Sequence, residues 1–167
     1  MVLNIINNSN NPLPEKATLM SACMDIRAYI LGKDKVKIFR SDNSSFSIES
    51  FDPDIGIRLD HMERAIVPTG LTIDIPEGYE MPLYPRSGLS VSKGITLVNA
   101  RAVIDADFTD PIGILLINLS KEPFYIKNGE RLCQLGLKKV ESFEWNCVDE
   151  INKDKDRGGG LGSSGIK

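Results

Sequence analysis

The sequence predicts an all-β domain, a sandwich or barrel with one short helix and a flexible, glycine-rich C-terminal tail. Short runs of alternating apolar and polar residues fill the central part of the chain, and Pro, Gly or Asn–Gly interrupts them. Only one stretch of this central part carries the start and stop signals of a helix. Many short strands with regular turns are typical of two packed sheets or one closed sheet.

The predicted strands lie in four stretches with apolar residues at alternate positions. These are "GLTIDIPEGYEMPLYPR" (70–86), "GITLVNARAVIDADF" (94–108), "IGILLINLS" (112–120) and "FYIKNGERLCQLGLKKV" (124–140). Pro76 and Gly78 mark a turn within the first stretch, and Asn128-Gly129 marks a hairpin turn within the last. Between the first two stretches, "SGLSVSKG" predicts the short helix, with Ser87 as its N-cap and Gly94 as its end.

Residues 31–65 are polar, charged and only weakly patterned, which predicts an inserted hairpin or loop. We therefore expect a β domain over residues 1–150 that contains this insertion, followed by a flexible arm at residues 151–167. No internal repeat is evident, and the tail is the one segment of low complexity.

Composition excludes several classes of protein. With 167 residues, 41% of them hydrophobic, the chain can bury one core. No apolar run approaches the roughly 18 residues of a membrane span, and the first residues lack a secretion signal, so we expect a cytoplasmic protein without membrane contact. A net charge of -3 argues against a nucleic-acid partner. Three widely spaced cysteines and one histidine support neither a disulfide framework nor a zinc site.

A candidate anion site lies at "PRSGLS", where Arg86 precedes the predicted helix. The helix N-terminus offers free amides near Ser87 and Gly88 and the positive end of a dipole, and the guanidinium adds a charge that suits phosphate. A solvated surface arginine is the alternative, and these residues alone do not decide between the two.

Other polar residues interrupt apolar stretches. Asp105 follows a predicted strand in "NARAVIDADF", and a carboxylate there is costly unless it is paired or functional. For Asp107 we favour an exposed turn. Asp25 in "SACMDIRA" and Gln134 in "GERLCQLGL" are candidates for a shared ligand, although satisfied polar groups in a core are the commoner explanation.

The tail "DRGGGLGSSGIK", residues 156–167, is poorly suited to forming structure by itself. Glycine loses more conformational freedom than any other residue on ordering, and fixing each residue costs about 1–2 kcal/mol. The tail is therefore either a frayed terminus or a flap that closes over a ligand rich in hydrogen-bond acceptors. Its composition alone favours the frayed terminus.

The five segments "SACMDIRA", "PRSGLS", "NARAVIDADF", "GERLCQLGL" and "DRGGGLGSSG" occur in this order along the chain. In order and spacing they resemble the five motifs of the trimeric dUTPases, the deoxyuridine 5′-triphosphate nucleotidohydrolases, and the resemblance covers residues 12–30 and 64–165. It implies a distorted, jelly-roll-like β-barrel and a homotrimer with shared active sites. It also implies hydrolysis of dUTP to dUMP and pyrophosphate with Mg²⁺, and a tail that closes over the nucleotide on a neighbouring subunit.

The resemblance also implies a role for individual residues. Asp105 would be the general base that activates the attacking water, while Arg86, Ser87 and Gly88 would hold the phosphates. Asp25 and Gln134 would contact waters on the magnesium ion. The remaining residues would contact the nucleotide: Asn99, Val103, Ile104 and Phe108 the base and sugar, and Arg157, Leu161, Gly162, Ser163 and Ser164 of the tail the phosphates and the uracil ring.

Four residues differ from those usual in this family: Cys23, Ala102, Phe108 and Leu161. Two alternative functions are open to this sequence. A dCTP deaminase usually has "IDPGF" and a glutamate on the next strand, where this chain has "IDADF" and Leu115. A regulatory protein that kept the fold would use the insertion at 31–65 as its partner surface.

Deleting residues 157–167 is expected to leave stability nearly unchanged and to lower dUTP turnover strongly. A tail of this composition adds few native contacts and acts only once a ligand orders it. Thermal unfolding and steady-state turnover of the full-length and truncated proteins test this. Equal turnover with and without the tail would show that the segment is a frayed terminus and not a flap that closes over the ligand.

Overall fold

The computed structural model describes residues 1–154, which form short β-strands and one short α-helix. In chain order the elements are β1 (Ile5–Asn7), β2 (Met24–Arg27), β3 (Lys37–Phe39), β4 (Ser45–Ser47), β5 (Ile57–Leu59), β6 (Arg64–Pro68), β7 (Leu71–Ile73), β8 (Tyr79–Pro85), α1 (Ser87–Lys93), β9 (Ile95–Leu97), β10 (Ala102–Ile104), β11 (Gly113–Asn118), β12 (Phe124–Ile126), β13 (Arg131–Leu135) and β14 (Lys138–Lys139). The predicted all-β class is confirmed.

The strands form two five-stranded and two two-stranded sheets within the described residues. One large sheet has the order β10-β8-β13-β2, with β14 also paired to β8, and the other has the order β4-β3-β6-β11-β9. The small sheets are β1-β7 and β12-β5, and the strand pairs are antiparallel. Buried side chains from all four sheets, among them Ile73, Leu83, Leu116 and Ile126, belong to one hydrophobic core.

Helix α1 begins one residue earlier than a Ser87 N-cap would require. The N-cap is Arg86, whose backbone is extended (φ -89°, ψ 122°) and continues β8, while its carbonyl accepts the first helical bond from Ser90 at 3.0 Å. Ser87 is the first helical residue, so the predicted N-cap was wrong. The predicted end is confirmed, because Gly94 has the left-handed conformation (φ 67°) that closes helices. Within residues 1–154, no helix is long and apolar enough to cross a bilayer.

The weakly patterned segment at 31–65 contains strands of the second large sheet and one strand of the small β12-β5 sheet. β3 and β4 form a hairpin, and β3 pairs with β6 at the edge of the second large sheet. β5 pairs with β12. Val36, Ile38, Ile57 and Leu59 are at most 2% exposed, so the segment contributes to the core. Its strands have only three residues each, which is too short for alternation to be evident in the sequence.

The division into a domain and an arm remains a prediction, because residues 155–167 lie outside the described part of the chain.

Gly56→Ala should destabilise the protein more than Gly78→Ala does. Both glycines have positive φ (93° and 80°), but a Cβ at Gly56 would lie 2.5 Å from the Ile126 carbonyl oxygen, whereas a Cβ at Gly78 would meet nothing within 4 Å. We expect about 1–2 kcal/mol of backbone strain in each variant, and about 1–3 kcal/mol more from overlap at Gly56. Urea unfolding measures both. Equal losses would show that β5 is not held against β12 as described.

Candidate active site

A row of polar side chains crosses the outer face of the first large sheet. Asp25 in β2 lies opposite Gln134 in β13, and Gln134 lies opposite Tyr84 in β8. All three side chains are half-buried, while their strand neighbours, among them Cys133 and Leu83, point into the core. The Gln134 amide donates to the Pro85 carbonyl at 3.2 Å. The structure therefore brings together two of the predicted site residues, Asp25 and Gln134.

Arg86 follows β8 directly, and its side chain reaches across β13 toward β2. Its Nε donates to Asp25 Oδ1 at 3.0 Å, and its Nη1 donates to the Arg131 carbonyl at 2.9 Å. The two side chains are about a quarter exposed, 27% for Arg86 and 24% for Asp25. Hydrogen bonds between charged groups are stronger than neutral ones, so this pair fixes the orientation of the guanidinium. Neither contact uses Nη2.

Ser87 and Gly88 form the first turn of α1, immediately after Arg86. The first amides of a helix have no partner within the helix and are available to other acceptors. A Cβ at Gly88 would have no neighbour within 4 Å, so the space beside this backbone is open. The Arg86 guanidinium and these amides therefore form one group at the end of β8.

A second group of predicted site residues lies along β10, the strand paired with β8, and in the turns on either side of it. Asn99 is in the turn between β9 and β10, and β10 pairs with β8 so that Val103 lies opposite Pro82 and Ile104 opposite Met81. Asp105 follows β10 and is exposed, and its carbonyl accepts the Phe108 N–H at 3.2 Å.

Three further residues, Phe108, Asp107 and Ala102, lie beside this group in the sequence. Phe108 is 39% exposed and lines a shallow cavity of about 320 Å³ together with residues of β1 and β7. Asp107 is exposed, as its turn position predicts. Ala102, one of the four residues that differ from those usual in the dUTPases, is buried in the core opposite Leu83.

Asp105 and the Arg86 group are far apart within one chain. Extending the β10 register by one residue brings Asp105 level with Glu80, whereas Arg86 lies six residues further along. Six extended residues span about 20 Å. The Arg86 side chain also points toward β2, on the side of β8 opposite to β10. The structure therefore does not place Asp105 beside the Arg86 group of the same chain.

Arg131 was missed by the sequence analysis. Its Nη1 donates to Asp25 Oδ2 at 3.1 Å, so Asp25 lies between two guanidinium groups. The only sequence signal is the charge that precedes the apolar pair Leu132-Cys133 in "GERLCQLGL".

Five predicted site residues, Arg157, Leu161, Gly162, Ser163 and Ser164, lie outside the described residues.

Burial raises the pKa of two groups in or next to β13. The pKa of the Cys133 thiol is raised to about 12, first by burial and then by the Asp25 charge, with Arg86 opposing. Burial also raises the pKa of Glu130, against the Lys127 backbone N–H that donates to its carboxylate at 3.2 Å. Cys133 is therefore a protonated core residue at neutral pH.

The comparisons with known proteins agree on one family. The dUTPase family model matches residues 53–165. A deoxyuridine 5′-triphosphate nucleotidohydrolase of Finegoldia magna is 40% identical over 165 residues, which cover 99% of both chains. A protein of the same name from Cytophaga hutchinsonii is 38% identical over 161 residues, or 96% of this chain and 90% of its own.

This chain belongs to the dUTPase family. Solved dUTPase structures share its fold. A variant of the Staphylococcus bacteriophage 80alpha dUTPase, in complex with dUpNHpp, has a TM-score of 0.71 at 23% identity and covers 99% of each chain. A variant of the dUTPase from phage phi11 of S. aureus, described with a structural Mg(II) ion, has a TM-score of 0.65 at 20% identity. It covers 90% of this chain and 99% of its own. The resemblance stated from the sequence is thus confirmed.

In this dUTPase family chain, iodoacetamide at pH 8 should label the exposed Cys147 and spare Cys133 until the protein is unfolded. The thiolate is the reactive form, and a pKa of about 12 leaves almost none of it at Cys133. Because the folded pKa lies above the unfolded value of about 8.5, this thiol contributes stability below that pH. The contribution is lost as pH rises toward about 12. Mass spectrometry of the labelled peptides measures both rates, and equal rates in the folded protein would contradict the burial described.

Proposed function

We propose that this protein hydrolyses dUTP to dUMP and pyrophosphate, a reaction that limits uracil entry into DNA and supplies dUMP. The observation that carries the proposal is the Arg86 guanidinium, held by Asp25 and by the Arg131 carbonyl next to the open first turn of α1. This is a preformed group for binding phosphates. The names of the Finegoldia and Cytophaga relatives support dUTP as the substrate.

Phosphate binding is assigned to Arg86 together with Ser87 and Gly88. A guanidinium that is already oriented loses little freedom when it binds, and its Nη2 is left for a phosphate oxygen. The amides of Ser87 and Gly88 donate in the same region, and the open space at Gly88 lets a phosphate approach the backbone closely. An acidic protein can thus bind an anion through a few placed donors.

Asp105 is proposed as the general base. Its carboxylate takes a proton from a water molecule as the water oxygen bonds to the α-phosphorus. The bond from that phosphorus to the bridging oxygen then breaks, and pyrophosphate leaves with the electron pair. A positioned base contributes about 10²–10⁴-fold to such a rate. The exposed carboxylate of Asp105 is open to a ligand supplied from outside its own chain.

Base and sugar selection is assigned to β10 and to the turns before and after it. Asn99 and the backbone at Val103 and Ile104 would bond the uracil edge, and cytosine, with the reversed donor and acceptor pattern, would leave buried groups unpaired. Phe108, 39% exposed, offers a ring to the deoxyribose. From the tail, Arg157, Ser163 and Ser164 would add donors to the phosphates, Gly162 would add a backbone amide, and Leu161 would cover the base.

A magnesium ion fits this donor set only as part of the nucleotide complex. Within residues 1–154, no group of three or more His, Cys, Asp or Glu could hold a metal by itself. One carboxylate and one amide, Asp25 and Gln134, suit contacts with the waters that magnesium retains when phosphates bind it. Bound in this way, the ion would neutralise charge on the triphosphate.

We further propose a homotrimer with shared active sites. Asp105 and the Arg86 group are separated by about 20 Å of extended strand in one chain, whereas a base must lie within one water of the atom it serves. A second chain that contributes its own Asp105, in the turn after β10, removes this conflict, and cyclic symmetry supplies it to every site. The cytoplasm is the location we propose.

Asp105→Asn should abolish most pyrophosphate release from dUTP and retain affinity for dUpNHpp, because the amide keeps the shape but cannot accept the proton. Asp107→Asn is the matched control, an exposed aspartate in the same turn that should keep most of the activity. Near wild-type turnover of Asp105→Asn would show that the base assignment is wrong. Binding of dUpNHpp by the wild-type protein without any pyrophosphate release would instead favour the regulatory alternative.

A further inference from the structure

A β-bulge in β13 turns Arg131 toward the outer face of the sheet. Arg131 lies opposite Arg27, and Cys133 lies opposite Ile26. Two steps along β13 thus match one step along β2, so Leu132 is the extra residue. Leu132 and Cys133 are both buried, and Arg131 and Gln134 on either side of them face outward. In a regular strand, residues three apart lie on opposite faces. The bulge therefore places Arg131 on the face that carries Gln134, and bulges often re-aim side chains in this way beside active sites.

Arg131 holds Arg86 by two routes. Directly, the Arg131 carbonyl accepts a bond from Arg86 Nη1 at 2.9 Å. Indirectly, Arg131 Nη1 binds Asp25 Oδ2 at 3.1 Å, and Asp25 Oδ1 binds Arg86 Nε at 3.0 Å. Each oxygen of the carboxylate is thus engaged by a different guanidinium. The three residues form a closed ring with a net charge of +1.

Packing alone does not account for an arginine at this position. Arg131 lies directly opposite Arg27, and like charges at opposite positions of an antiparallel pair destabilise a sheet. The Arg131 side chain is 48% exposed, so it contributes little to the core. A residue whose charge disfavours strand pairing and whose side chain gains nothing from packing is expected at functional sites.

We infer that Arg131 is a positioning residue for nucleotide binding, which acts by restraining Asp25. With Arg131 present, Asp25 gives one oxygen to each guanidinium, and Arg86 Nη2 is left for a phosphate. Without the Arg131 side chain, Asp25 can turn both oxygens to Arg86 in the bidentate geometry that carboxylates and guanidiniums prefer. Arg86 Nη2 is then occupied by Asp25. The inference rests on the proposed function, because the phosphate is that of the nucleotide.

The test compares Arg131→Met, Arg131→Lys and the control Arg58→Met. Arg58 lies on β5, in a different sheet, and is paired with Asp60 at 2.8 Å. Arg58→Met therefore removes one positive charge and one ion pair, as Arg131→Met does, but away from the candidate site. Each protein is titrated with dUpNHpp in a calorimeter, with and without Mg²⁺, and unfolded in urea. Arg131→Met should weaken dUpNHpp binding about tenfold, as expected for the loss of a charged hydrogen bond. Arg131→Lys should recover most of the affinity, since one N–H donor to Asp25 suffices.

Stability separates positioning from a structural role. Arg131→Met should be as stable as the wild-type protein or more stable, because the repulsion with Arg27 is removed. Wild-type affinity in Arg131→Met, or a loss of affinity that follows a loss of stability and is not recovered by Arg131→Lys, would overturn the inference. A wild-type protein that neither binds dUpNHpp nor hydrolyses dUTP would reject the proposed function itself, and with it this inference.

Discussion

The carboxylate of Asp25 lies between the guanidinium groups of Arg86 and Arg131, and the proposed phosphate-binding end of the candidate site depends on this arrangement. A carboxylate that is about a quarter exposed needs partners, and two cations supply them. The same contacts fix Arg86 at the point where β8 ends and α1 begins. The folded sheet therefore orients the Arg86 guanidinium before any nucleotide binds.

The register of three strands makes the arrangement possible. β13 lies between β2 and β8, and its outer face carries Gln134 level with Asp25 and Tyr84. A slip of one residue would turn these polar side chains into the core and expose residues such as Cys133. The high pKa of the Cys133 thiol, about 12, reflects how thoroughly the inner face is removed from water. The core and the candidate site thus lie on opposite faces of the same strands, so one strand register fixes the residues of both.

Much of this structure follows from local patterns in the sequence. Alternation in "IGILLINLS" predicts β11, and Gly94 predicts the end of α1, because both signals depend on neighbouring residues only. The N-cap prediction was wrong because Arg86 occupies that position. There it continues the extended backbone of β8, and its side chain is bonded to Asp25, which is distant in the sequence. Strands β3, β4 and β5 are three residues long, so their identity depends on pairing with distant strands. Arg131 was missed for a related reason, since a bulge changes the face of a residue without changing the sequence spacing.

The central claim is that each active site takes Asp105 from one subunit and the Arg86 group from another. The most direct measurement mixes two variants that are each inactive alone, Asp105→Asn and Arg86→Ala, by co-expression with different affinity tags and purification through both. If sites are shared in the proposed homotrimer, each trimer that carries both tags has one intact pair among its three sites, and turnover returns to about a third of the wild-type value. Mixed oligomers that remain as inactive as the separate variants would contradict the account, because every site would then draw both residues from one chain.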